Sequence, residues 1–194
     1  LLAEESPFFG NDDDRADTIA RAAFDAYFDA LDGRPNTKGG KYRVNLLPTT
    51  VHVYFGSVVG ASANGRQAGK PLSDGISPTQ GAGTRGPTAV IRSVGKIDHV
   101  RTGGTLLNQR FLPDVLKDEA GLRKVADLVR TYFRYDGHHI QFNVVDSETL
   151  RRAQEHPEEY RDLIVRVAGY SDYFHRLDRP LQDEVIARTA HSEL

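Results

Sequence analysis

The sequence predicts an α/β fold, and three features carry that prediction. Residues 47–55 and 138–145 alternate in polarity with a period of two, the signature of strands with unlike faces. Two other segments place apolar side chains at helical spacing: Phe24, Phe28 and Leu31 in one, and Leu122, Val125, Val129 and Tyr132 in the other. Hydrophobic residues make up 39% and charged residues 27% of 194 positions, the balance of a globular domain able to bury a sizeable core.

The same composition excludes several classes of function. A net charge of -2 supplies no basic field for nucleic acid. No apolar run approaches the roughly 18 residues of a membrane span. The first residues also lack the basic-then-apolar order of a secretion signal, so a cytoplasmic protein without a membrane partner is expected. Cysteine is absent, which excludes disulfides, thiolate metal sites and a cysteine nucleophile within the chain. With no initiator methionine either, the chain reads as part of something longer.

Taken in order, Gly10-Asn11-Asp12-Asp13-Asp14 is a turn-rich acidic cluster before the helix predicted over residues 16–31. Carboxylates there complement the helix dipole and cap free N–H groups, the reading preferred to a metal site. Asp32-Gly33-Arg34-Pro35 ends the helix. Residues 47–55 read as a strand whose Val51, Val53 and Phe55 pack while Thr50, His52 and Tyr54 face the other way, toward a possible cavity. His52 has no second histidine at ligand spacing nearby and is taken as a structural residue. From 56 to 86 the chain is punctuated by Gly60, Gly65, Gly69, Gly75, Gly81 and Gly83, with Pro71 and Pro78. A loop of this length is either functional or disordered. It contains neither Gly-x-Gly-x-x-Gly nor a Gly-Lys-Ser/Thr ending, so nucleotide binding is set aside.

Residues 87–94 read as a second strand. The helix carrying Tyr132 ends at Asp136-Gly137, and its apolar stripe is assigned to the core. In the strand over 138–145, Ile140, Phe142 and Val144 share one face and His139, Gln141, Asn143 and Val145 the other. Gln141 and Asn143 must be hydrogen-bonded if buried, and the glycine loop that follows is the expected partner. His138-His139 is no metal pair, because adjacent strand residues point to opposite faces. Ser147 caps a helix through Gln154, and Pro180 opens a last helix with Leu181, Val185 and Ile186 on its apolar side. Between them an apolar run from Leu163 stops at Gly169, which on spacing alone reads as a turn glycine.

Arg166-Val167-Ala168-Gly169-Tyr170-Ser171 resembles the radical-bearing loop of the glycyl radical enzymes, the superfamily of pyruvate formate-lyase and its dehydratase relatives. Three further segments are similar to that family: Gly10-Asn11-Asp12-Asp13, Asn64-Gly65-Arg66 through Pro71-Leu72-Ser73-Asp74-Gly75, and Gly104-Thr105-Leu106-Leu107-Asn108. The resemblance runs from Gly10 to about Arg188. It implies the C-terminal part of a ten-stranded α/β barrel of two antiparallel half-barrels, with strands around Val51, Val90 and Ile140, a glycyl radical loop and a terminal helix. It divides the chain into barrel elements over 1–145 and a glycyl radical domain over 146–194.

By the same resemblance Gly169 stores an unpaired electron on its α-carbon, which flattens and delocalises into both neighbouring amides, an arrangement that a Cβ would crowd. Arg166, Tyr170, Ser171, Gln141 and Asn143 are expected to support the loop, and Thr49, Thr50 and His52 to line the substrate cavity, with no metal ligands. The resemblance implies no bound cofactor. An activating enzyme using S-adenosylmethionine and an iron–sulfur cluster installs the radical, which passes to a cysteine on another chain or segment. The motifs look most like the dehydratase and lyase branch, whose members eliminate water, an amine or sulfite from hydroxyproline, glycerol, propanediol, choline or isethionate. Hydroxyproline or a diol is favoured as the small-molecule substrate. Two alternatives stay open: a spare-part subunit that restores a damaged pyruvate formate-lyase-type enzyme, and a glycine-rich binding module without chemistry.

Overall fold

The computed structural model describes residues 6–193. Helix α1 (Asp14–Leu31) starts where the Asp13 carboxylate accepts the Arg15 N–H, and Asp12, Asp14 and the buried Asp17 all pair with Lys96. The acidic cluster therefore caps the helix and ties it to the distant turn that carries Lys96. Strand β1 (Asn45–Leu46) leads to α2 (Val51–Val58) and, after the glycine-rich loop, to α3 (Gly86–Val94). Then come β2 (Gly104–Phe111), α4 (Glu119–Arg134), β3 (His139–Val144), α5 (Ser147–Glu155), the hairpin β4 (Ile164–Arg166) and β5 (Ser171–Tyr173), α6 (Arg179–Ala187) and β6 (Ala190–His191).

Two expected strands are helices. Residues 47–55 were expected to alternate as a strand, yet Val51, Tyr54, Phe55 and Val58 stand at i, i+3, i+4 and i+7 of a helix over Val51–Val58, and a short apolar run fits both periods. Close packing settles the matter: the buried edge of α2 carries His52 and Gly56, and a Cβ at Gly56 would collide with the Lys70–Pro71 backbone. Thr49 and Thr50 accordingly lie at a helix start and line no strand face; Thr49 adopts a φ of 58°. Residues 87–94 form α3, with Pro87 in the first turn and Val90, Ile91 and Val94 buried on one stripe. The strands around Val51 and Val90 therefore do not exist, whereas the one around Ile140 does.

Smaller corrections follow the same logic. Asp146, not Ser147, caps α5 by accepting the Thr149 N–H at 2.6 Å. On α4 the residue that turns into the core beside Tyr132 is Leu128, while Leu122 is 55% exposed.

The sheet is parallel. β3 pairs along β2 from Leu106↔His139 to Phe111↔Val144, β1 pairs with the start of β2 and β6 with its end. Because side chains alternate, the register puts Leu107, Phe111, Ile140 and Phe142 on one face, and Asn108, Arg110, Gln141 and Asn143 on the other. The apolar face packs with α3 and α4 in a core that includes Ile91, Val94, Leu128 and Tyr132. A second core joins α5, the hairpin and α6 through Leu150, Val165, Val167, Phe174 and Val185. The polar face of the sheet looks toward that second unit.

Candidate functional site

The hairpin is short and its tip is tight. β4 and β5 pair antiparallel from Ile164↔Tyr173 to Arg166↔Ser171, and the Val167 N–H donates to the Tyr170 carbonyl at 2.9 Å across the turn. Val165, Val167 and Ala168 are buried, while Gly169 and Tyr170 are exposed. Gly169 takes a φ of +81°, the left-handed region that a side chain disfavours. Space does not demand glycine there, since a Cβ would meet nothing within 4 Å.

Gln141 reads the turn with both ends of its amide. Its Oε1 accepts the Gly169 N–H at 3.0 Å and the Arg166 Nε–H at 3.0 Å, and its Nε2 donates to the Val167 carbonyl at 3.1 Å. Asn143, two residues on and on the same face, pairs with Arg166 in both directions: its Oδ1 accepts the backbone N–H at 2.7 Å and its Nδ2 donates to the carbonyl at 2.8 Å. The Arg166 guanidinium then wraps the turn, donating to Ser171 Oγ at 3.2 Å and to the Gly169 carbonyl at 3.4 Å. Arg166, Ser171, Gln141 and Asn143 thus converge on Gly169. Tyr170 stands exposed beside it, and its phenol is held above its usual value by partial burial and by Asp172 and Asp178.

Behind Gln141 lies a group of residues that the strand pattern alone did not single out. Asn108, the register partner of Gln141, accepts from Gln141 Nε2 and donates through its own Nδ2 to the Asp74 carboxylate. Asp74 reaches this position because Gly75, at φ +58°, lies against the β2 backbone, where a Cβ would strike the Leu106 carbonyl. The Ile76 N–H bonds that same carbonyl at 3.0 Å. Arg188 closes the group: it binds Glu184 from Nη2 at 2.8 Å and from Nε at 3.1 Å, stands 3.5 Å from Asp74, and donates to the Arg166 carbonyl at 3.2 Å.

His52, read from sequence as a cavity-lining candidate, is buried against this group with Nε2 3.5 Å from Glu184 Oε1. Thr49 and Thr50 do not join it. Electrostatically the two acids diverge. Burial pushes the Asp74 carboxyl up to about 6 despite Arg188 and His52. Burial also opposes ionisation of Glu184, but the His52 contact and Arg188 outweigh it and hold the carboxyl down at about 2. Donor atoms of His52, Asp74 and Glu184 lie within 4.8 Å of one another, yet the Arg188 guanidinium already supplies the positive charge between the two acids. The signal that would have found Glu184 and Arg188 is their i,i+4 spacing at the end of the last helix, where Arg188 is the C-cap.

An open cavity of about 760 Å³ lies between the 64–71 segment and α6, lined by Val53, Pro71, Gln80 and Glu184 among others. The hairpin does not line it. No helix among the described residues is long and apolar enough to cross a membrane.

The sheet, the hairpin and the glycine at its tip match a known family. Residues 72–175 match the family described as "Glycine radical", and residues 1–56 that described as "Pyruvate formate lyase-like". The chain belongs to the glycyl radical family. It is 59% identical over 189 residues to the trans-4-hydroxy-L-proline dehydratase of Clostridioides difficile, covering 97% of this chain and 24% of that protein. A solved structure of hydroxyproline dehydratase from that organism superposes with a TM-score of 0.95 at 58% identity, over 98% of this chain and 24% of the other. The B12-independent glycerol dehydratase of Clostridium butyricum superposes at 0.94 with 46% identity, again over 98% and 24% of the two chains. An isethionate sulfite-lyase of Nitratidesulfovibrio vulgaris is 43% identical, over 98% of this chain and 23% of that one. The chain therefore spans about a quarter of the length of the relatives it matches.

Proposed function

We propose that this chain is the radical-bearing part of an anaerobic dehydratase or lyase, with Gly169 as the residue that stores the radical. The observation that carries the reading is the tip of the hairpin: a positive-φ glycine with open space over its α-carbon, its N–H and carbonyl each held by a side chain, inside the matched family segment. An activating enzyme using S-adenosylmethionine and an iron–sulfur cluster removes one α-hydrogen from Gly169. The glycyl radical takes a hydrogen atom from a cysteine thiol, and the resulting thiyl radical attacks the substrate. No cysteine is present here, so that residue belongs to a partner chain or another segment. Gln141, Asn143, Arg166 and Ser171 position the turn, and Tyr170 borders it.

Trans-4-hydroxy-L-proline is the favoured substrate, on the strength of 59% identity to its dehydratase against 43% to the isethionate lyase. A diol is second, on the glycerol dehydratase likeness. The four-stranded sheet is read as part of one half of a ten-stranded barrel, with residues 146–194 as the radical domain docked on its polar face. Covering partners are expected over two surfaces: the exposed Gly169 tip, and an apolar stripe on α2 where Tyr54 is 64% and Val58 63% exposed. Such a radical needs a site free of oxygen and water, and an anaerobic cytoplasm is the compartment expected for it.

The test is an anaerobic electron paramagnetic resonance spectrum of the complete enzyme, this chain with its cysteine-bearing remainder, after treatment with the activating enzyme. A doublet from α-hydrogen coupling is expected, and Gly169→Ala should abolish both doublet and turnover. The variant is a fair control because no neighbour obstructs the added methyl; the strain of a positive φ costs roughly 1 kcal/mol. A folded, partnered enzyme whose activity survives the substitution overturns the radical assignment.

A further inference from the structure

We infer that Asn108 and Asp74 are positioning residues for Gly169, acting through Gln141; the inference rests on the radical reading above. The geometry is a one-way chain of amides. Gly169 N–H and Arg166 Nε–H are obligate donors and require the oxygen end of Gln141. Its nitrogen end then faces the Val167 carbonyl and Asn108 Oδ1. Asn108 can accept there only while its own nitrogen end has an acceptor, and the buried Asp74 carboxylate supplies it. Asp74 in turn is held by the Gly75 contact with β2 and by Arg188. Every amide in the chain has one allowed orientation, from a fixed carboxylate to the Gly169 N–H.

The consequence reaches the proposed radical carbon. A backbone α-radical is stabilised by electron donation from its amide nitrogen and withdrawal into its carbonyl. An acceptor on the Gly169 N–H favours the first and the Arg166 donor on the Gly169 carbonyl favours the second. If Asn108 loses its polarity, Gln141 keeps a buried donor without a partner. The Gly169, Arg166 and Val167 groups still set which way its amide faces, but the side chain loses its anchor on β2 and its bonds to the Gly169 and Arg166 N–H groups loosen.

The experiment compares the complete wild-type enzyme, Asn108→Leu, Asn108→Asp, and the exchanged pair Asn108→Asp with Asp74→Asn. In Asn108→Asp two carboxylates meet and the chain loses its donor. There the new carboxylate can still accept from Gln141, but repulsion from Asp74 drives it off its place; in the exchanged pair the amide introduced by Asp74→Asn donates to the carboxylate introduced by Asn108→Asp and seats it again against Gln141 Nε2. Two readouts are used: hydrogen–deuterium exchange of residues 167–171 relative to the rest of the chain, and the nitrogen coupling of the radical doublet in enzyme carrying 15N-glycine.

Both single variants should exchange at the hairpin on the order of tenfold faster and show an altered nitrogen coupling, and the exchanged pair should return both to wild type. Should Asn108→Leu lose its fold, the Asn108→Asp comparison with its exchanged partner carries the test. Wild-type exchange and coupling in a folded single variant overturn the inference, as does a disrupted single variant that the exchanged pair fails to restore. A wild-type enzyme without a doublet overturns the radical reading instead, and the exchange measurement alone then decides whether Asn108 positions the hairpin.

Discussion

The two faces of the β2–β3 sheet use the same period-two alternation to opposite ends. On one face Leu107, Phe111, Ile140 and Phe142 join α3 and α4 in a core held by area and packing. On the other, Asn108, Arg110, Gln141 and Asn143 are mostly buried too, but their partners are specific. Gln141 and Asn143 hold the backbone of the hairpin, and Arg110 donates to the Val185 and Ile186 carbonyls at the end of α6. An apolar face tolerates any neighbour of the right shape. A buried polar face accepts only a partner with matching donors and acceptors, so it fixes where the hairpin sits. The comparison teaches that the sheet is a scaffold on one side and a template on the other.

The sharpest way to break the template side is through its buried charges. Arg188→Met should cost about 3–5 kcal/mol in denaturant unfolding, because Glu184 and Asp74 are left facing each other without a cation. Phe111→Ala on the scaffold side should cost a similar 3–5 kcal/mol by leaving a cavity. The two should separate in radical yield relative to folded protein, which should fall in Arg188→Met and hold in Phe111→Ala. Equal yields would mean that the polar face does not position the hairpin.

Next in size is Gln141→Leu, which orphans the Gly169 N–H and the Val167 carbonyl at about 1–3 kcal/mol each. Exchange confined to residues 167–171 should report it.

The pH dependence sharpens the same contrast, since the titrating acid pair sits behind the polar face. Asp74, raised to about 6 when folded, favours the fold while protonated, and that contribution is lost as pH rises through about 4 to 6. Glu184, depressed to about 2, contributes above its unfolded value, and that contribution is lost as pH falls from about 4.5 toward 2. His191, held down to about 4 by burial and Arg110, works the other way over the same range, because the unfolded chain takes up its proton first. The Asp74 share is therefore read as a difference: Asp74→Asn should make stability rise more steeply from pH 4 to 6 than it does in wild type. The smallest effect on the fold belongs to the α2 stripe: Tyr54→Ser with Val58→Ser should change stability by no more than about 0.5 kcal/mol per site. Association with the proposed cysteine-bearing remainder, followed by sedimentation, should weaken nonetheless.

Much of this was legible from residues alone. The strand at His139–Val144 followed from alternation, α1 and α4 from helical spacing, and the partners of Gln141 and Asn143 from the rule that buried amides must be paired. The Gly169 loop was legible as a motif, and its six residues placed it in the family that residues 72–175 match. Residues 47–55 and 87–94 were misread because a run of eight or nine positions rich in apolar and β-branched residues satisfies both periods, and local pattern cannot choose between them.

By itself the sequence determined the alternating faces, the acidic cap of α1 and the glycine that ends the β4 run, since each depends on neighbours along the chain. Only the tertiary structure decided that Asp74, Asn108, Glu184 and Arg188 meet behind Gln141, and that His52 joins them. Those residues come from a glycine-rich loop, a strand, the last helix and α2, separated by up to 136 positions, the span from His52 to Arg188. Hydrogen bonds and charges act over a few ångströms of space, and no spacing along the chain encodes a distance that folding alone closes.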